Sequence, residues 1–161
     1  MNGRLPRGVL RIDPDDFLET SVGRVWTPER SRQAWNDAFD ALRGALAVRS
    51  DREVLVVCGL QGAGKSTWVV ENARSYAPCI CFDAALPGAR HRAPIIEICL
   101  EHRARARAIW IKTQLEVALK RNASRPLDQR VPEASIRSVS ELFEPPSLSE
   151  GFFEVVVVEN G

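Results

Sequence analysis

Long apolar runs are missing from this chain: nowhere in its 161 residues is there a stretch of membrane length. Residues 1–11 also lack the apolar core of a signal peptide, so the expected location is the cytoplasm, with no membrane partner. Net charge is nearly absent too, at +1. A global field for polyanions is therefore excluded, and nucleic acid would have to bind through a local basic patch. Lysine is scarce: of 22 basic residues only Lys65, Lys112 and Lys120 are Lys. The other 19 are arginines, planar and permanently charged, which suits phosphate. The four cysteines, Cys58, Cys79, Cys81 and Cys99, lie in apolar runs, and no second Cys pair or His follows at zinc-site spacing. They read as buried free thiols. There is no internal repeat and no low-complexity tract.

What is present is an ordinary globular composition, 45% hydrophobic and 27% charged, of a size for one domain with a sizeable core. Residues 1–27 show no regular pattern. Thr27-Pro28 reads as an N-cap followed by Pro at the first helical position, and Trp35, Phe39, Leu42 and Leu46 follow at helical spacing. Residues 28–49 therefore form an amphipathic helix within an N-terminal extension over 1–50, with Trp35 and Phe39 read as core.

From 51 to 161 apolar runs alternate with helical patterns. Glu53 to Cys58, Cys79 to Phe82, Ala108 to Ile111 and Phe153 to Val158 are four buried-strand candidates. Helices are expected from Lys65, from Pro94 over 94–104, from the capping box at Thr113 and from Pro132. This alternation implies an α/β fold with a small parallel sheet flanked by helices in three layers. Ligands then belong beyond the carboxyl ends of the strands, where the glycine-rich loop, Asp83 and Lys112-Thr113 all fall.

Residues 59–66 (GLQGAGKS) follow a strand and precede a helix, which is the context that supports a P-loop. Gly59, Gly62 and Gly64 let successive amides face one concavity, with Gln61 and Ala63 between them, and the helix adds its positive end. Lys65 would reach the β- and γ-phosphates of ATP, Ser66 would bind Mg²⁺, and Thr67 would donate to the α-phosphate. Asp83 closes an apolar run at the same edge. Its carboxylate suits a Mg²⁺-bound water or the proton of an attacking hydroxyl; a cap on the next turn is the alternative, and the shared sheet edge favours function. Arg121, Arg125 and Arg130 fall in a polar stretch over 121–131. They make either a closing lid that neutralises the moving phosphoryl group or a solvated basic loop.

Together these residues resemble the P-loop kinases related to phage-type polynucleotide kinase and to zeta-toxin-like proteins, which carry an AAA-type ATP-binding domain. The likeness covers residues 53–158. Its marks are 59–68 (GLQGAGKSTW), 109–122 (IWIKTQLEVALKRN), Arg125, 131–133 (VPE), 143–146 (FEPP) and 150–152 (EGF). The resemblance implies a kinase that moves the γ-phosphate of ATP to a hydroxyl, often a nucleic-acid 5′ end. In it Lys65 and Ser66 serve the donor, Arg121 and Arg125 are the lid arginines, and Arg130 is a looser match on the nucleotide side. The family carries two acidic sites on successive strands, the first an Asp near an Arg that acts as base. Here one strand-helix unit is missing after the P-loop helix, and Asp83-Ala84-Ala85 resembles the second site more than the first, so that either Asp83 does both jobs or the acceptor site is degenerate. An acceptor grip is sought in Arg90, His91 and Arg92, which follow Asp83 closely. Without an acceptor site, the reading becomes a nucleotide-controlled module or weak NTPase.

Overall fold

The computed structural model describes residues 3–161. Its centre is a five-stranded sheet with every neighbouring pair parallel, in the order β1-β5-β4-β6-β7. The strands are β1 (Val9–Ile12), β4 (Glu53–Cys58), β5 (Cys79–Asp83), β6 (Ala106–Lys112) and β7 (Glu154–Glu159). Between β1 and β4 lie a 3-10 helix (Pro14–Leu18), a small hairpin of β2 (Glu19–Thr20) and β3 (Gly23–Arg24), and helix α1 (Pro28–Val48). Helices α2 (Lys65–Asn72), α3 (Ala89–Glu101) and α4 (Leu115–Ala123) each follow a central strand, and α5 (Glu133–Leu142) precedes β7.

Period-two alternation in the strands builds a core on each face. Val54, Val56 and Cys58 of β4 and Ile80 and Phe82 of β5 point to one side, where Leu42 and Leu46 of α1 and Ile95 and Ile98 of α3 meet them. Leu55, Val57, Cys79 and Cys81 point to the other, against Val69 of α2 and Ala118 of α4. These side chains are essentially without solvent contact, so truncating Leu42 or Leu46 to Ala costs about 2–5 kcal/mol. Trp35 and Phe39 belong to this packing, with Phe39 stacked on Phe82 at 5.8 Å between centroids. All four cysteines are buried and free.

Residues 3–27 are more regular than their sequence pattern indicates. Val9–Ile12 is a short edge strand whose backbone pairs with β5 about seventy positions away, an ordering that no local signal carries. Strand β1 and helix α1, which come before β4, thus add an edge strand and a packed helix to the four strands expected. Residues on both sides of position 50 share one sheet and one core.

Two helix starts also differ from expectation. Helix α3 begins at Ala89, not Pro94, which sits inside it and forgoes only the amide donor that its ring lacks. Thr113 does not cap α4, whose N-cap is Gln114; the Thr113 hydroxyl donates instead to the carbonyls of Asn160 (2.7 Å) and Ala63 (3.2 Å). No helix among the described residues is long and apolar enough to cross a membrane.

Candidate functional site

All five strands of the main sheet run the same way, so their carboxyl ends share one edge: Asp13 after β1, Asp83 ending β5, Gly59 after β4, Thr113 after β6 and Asn160 after β7. A cleft of about 1260 Å³ opens there.

One wall is the loop between β4 and α2. Gly59, Gly62 and Gly64 all have positive φ, and a Cβ on Gly59 or Gly62 would strike the backbone carbonyls of Ile111 or Ala118. The loop is held from behind: the Ala63 carbonyl accepts from Asn160 Nδ2 at 2.7 Å, Thr113 Oγ1 at 3.2 Å and Arg121 Nη1 at 3.2 Å. Lys65 folds over the loop, its Nζ donating to the carbonyls of Gly59 (3.0 Å) and Leu60 (2.8 Å). Desolvation holds its ammonium below the ordinary value. Gln61 Oε1 is buried without a hydrogen-bond partner among the described residues, and Gln61 lines the cleft with Gly62, Gly64, Ser66 and Thr67.

The floor joins this loop to β1. Ser66 Oγ donates to Asp83 Oδ2 at 2.9 Å, Arg11 Nε donates to the same oxygen at 2.9 Å, and Arg11 Nη2 donates to Ser66 Oγ at 2.9 Å. Arg11 Nη2 also donates to Asp13 Oδ2 at 2.6 Å. Asp83 is 3% exposed and lines the cleft. Burial, with Asp83 nearby, pushes the Asp13 carboxyl up to about 7 from 3.8, although Arg11 pulls it the other way. Asp13 also caps the 3-10 helix that follows, accepting from the Asp15 amide at 2.9 Å. Neither Arg11 nor Asp13 stood out in the sequence; the close Arg-x-Asp spacing was the one available signal.

The opposing wall is the last turn of α4 and the segment after it. Arg121, Arg125 and Arg130 line the cleft, with Arg130 Nε bonded to the Arg125 carbonyl at 2.7 Å. Buried Asn122 clamps this segment by donating to the Val131 carbonyl (2.8 Å) and accepting from its amide (3.0 Å). Asp128 accepts from the Arg24 amide at 3.1 Å, tying the segment to the β2–β3 hairpin across the cleft. Close approach at Gly23 leaves no space there for a Cβ.

The expected acceptor grip is not assembled. Arg92 is fully buried and makes a two-pronged ion pair with Glu150 (2.7 and 3.0 Å), with a third bond to the Leu86 carbonyl at 2.8 Å. An arginine on the inward face of α3 must be paired to be tolerated, and this one holds the chain before β7 in place. Arg90 is exposed and does not line the cleft.

Among the described residues, no cluster of three or more His, Cys, Asp or Glu side chains is arranged to hold a metal. Ser66 and Asp83 provide one hydroxyl and one carboxylate around a point already filled by a cationic group. Such a donor set fits a hard divalent ion that completes its shell with phosphate oxygens and water. The fold is compatible with a P-loop architecture. No family model matches this chain, and no curated protein matches it at the level that would indicate a relative.

Proposed function

We propose that the chain is an ATP-dependent kinase that moves the γ-phosphate to a hydroxyl, with the donor on the glycine-rich loop and the acceptor against β1. The observation that carries this is the continuous floor Ser66–Asp83–Arg11–Asp13, which joins a phosphate-shaped loop to a second acidic position in one cleft.

Loop amides and the N-terminal end of α2 cradle the phosphates, while Lys65 leaves its two carbonyls for the β- and γ-oxygens. Ser66 and Asp83 would hold Mg²⁺, which would supply positive charge to offset that of the phosphates. Asp83, nearly sealed and already bonded to Ser66, suits this role better than that of base. Asp13 takes the acceptor proton as the acceptor oxygen bonds to the γ-phosphorus and the bond to the β-phosphate oxygen breaks, leaving ADP. Arg121, Arg125 and Arg130 face the transferring group, neutralise charge and exclude water. The resemblance of this chain to polynucleotide-kinase-like proteins, whose first acidic site is an Asp near an Arg that acts as base, supports the same division of labour.

The acceptor side does not suit a nucleic-acid end. It carries Asp13, Asp15, Asp16 and Glu19 against only Arg11 and Arg24, a balance that repels phosphodiesters. A small neutral or amine-bearing hydroxyl compound fits that balance.

The test is ATP labelled at the γ-phosphate, offered with neutral sugars, amino sugars and a 5′-hydroxyl oligonucleotide. The reading expects label on a small hydroxyl compound. Label released only as inorganic phosphate would replace the kinase by an NTPase module, and failure to bind ATP would end both readings.

A further inference from the structure

Arg11 is a guanidinium set between the two side chains suited to a divalent cation. Its Nη2 and Nε lie 2.9 Å from Ser66 Oγ and Asp83 Oδ2, which are themselves 2.9 Å apart. We infer that Arg11 holds the cation position while no metal is bound, and that Mg²⁺ arriving with the nucleotide displaces it. The inference rests on the phosphate-loop reading above and adds the order of events at that loop.

Three physical points carry it. A carboxylate as enclosed as Asp83 needs a counter-charge at all times, and Arg11 is the cation that supplies it. Two cations cannot share donors this close together without strong repulsion, so metal and guanidinium compete. Arg11 also has somewhere to go, because its outer nitrogens already reach Asp13 at 2.6 Å and Asp16 at 3.3 Å. The backbone does not need to move, since Arg11 is fixed opposite Cys81 in the sheet and the side chain alone can swing. Two consequences follow. Arg11 weakens metal binding, and it gives a metal-free nucleotide a substitute counter-charge.

The experiment follows the Arg11 Nε–H resonance in the unsubstituted protein, assigned by its loss in Arg11→Lys. This N–H is expected to be protected from exchange in the free protein and with a non-hydrolysable ATP analogue in EDTA. Adding Mg²⁺ to the analogue complex should lower that protection at least about tenfold. In parallel, Arg11→Gln should lower the Mg²⁺ concentration for half-maximal analogue binding about tenfold, and weaken binding in EDTA. Protection that survives Mg²⁺, or an unchanged Mg²⁺ requirement in a folded Arg11→Gln, overturns the inference while leaving nucleotide binding intact. If Arg11→Gln does not fold, the resonance in the unsubstituted protein decides alone. A protein that binds no analogue under either condition overturns the phosphate-loop reading, and this inference with it.

Discussion

The two sides of the cleft are built differently. The loop side is one unbroken stretch, in which β4, the glycine-rich turn and α2 succeed each other within twenty residues. The acidic floor joins Asp83 to Arg11 and Asp13, from strands seventy positions apart that meet only through sheet pairing. Local geometry is written in local residue types, such as glycine where φ is positive. A long-range site is written only in the pairing that brings its parts together. The loop side is therefore a property of a segment, and the acidic side a property of the fold.

Substitutions that act on one side and spare the other sharpen this contrast. The largest effect is expected from Lys65→Ala, which removes the one lysine in the cleft. It should reduce phosphoryl transfer at least about a thousandfold and raise the ATP concentration for half-saturation, with melting temperature little changed. Steady-state kinetics and a melting curve check it.

Arg92→Met is next and should act on stability alone. It leaves Glu150 beside a buried gap and costs about 3–5 kcal/mol in chemical denaturation. Where the variant folds, ATP and acceptor affinities should be unchanged. A selective loss of acceptor binding would return Arg92 to the site.

A smaller effect concerns pH. Asp13 sits among Arg11, Asp15, Arg24, Lys65 and Asp83, and in the folded chain holds its proton up to about 7 rather than 3.8. The folded state therefore keeps a proton that the unfolded chain has lost, and stability falls as pH rises from about 4 to about 7. Melting temperatures across that range should show the fall, and Asp13→Asn should flatten it. A slope unaltered in Asp13→Asn would place the titration elsewhere.

Arg130→Ala should be the mildest. An exposed cation already bonded to the Arg125 carbonyl contributes about 1 kcal/mol, so transfer should drop less than about tenfold.

Much of the fold was legible beforehand, and the exceptions share a cause. The β4 run Val54–Val57, the α1 stripe of Leu42 and Leu46 and the loop glycines announce themselves through period, apolarity and backbone need. Strand β1 does not, because four residues flanked by Gly8 and Pro14 carry too little pattern to stand apart from a loop. Arg92 misled because its neighbours Arg90 and His91 make the start of α3 look exposed, while helix geometry turns residue 92 inward. Thr113 has the spacing of a cap, yet the Ala63 and Asn160 carbonyls claim its hydroxyl. In each case a contact distant in sequence outweighed a local preference.

The central claim is that Asp13, just after β1, supplies the base for a donor held on the loop. Measuring nucleotide affinity and γ-phosphate transfer side by side in Asp13→Asn tests it most directly. ATP affinity should stay within about threefold of the unsubstituted protein while transfer falls about a hundredfold or more. Transfer at the unsubstituted rate would contradict the account, and the acidic side of the cleft would then be scaffold.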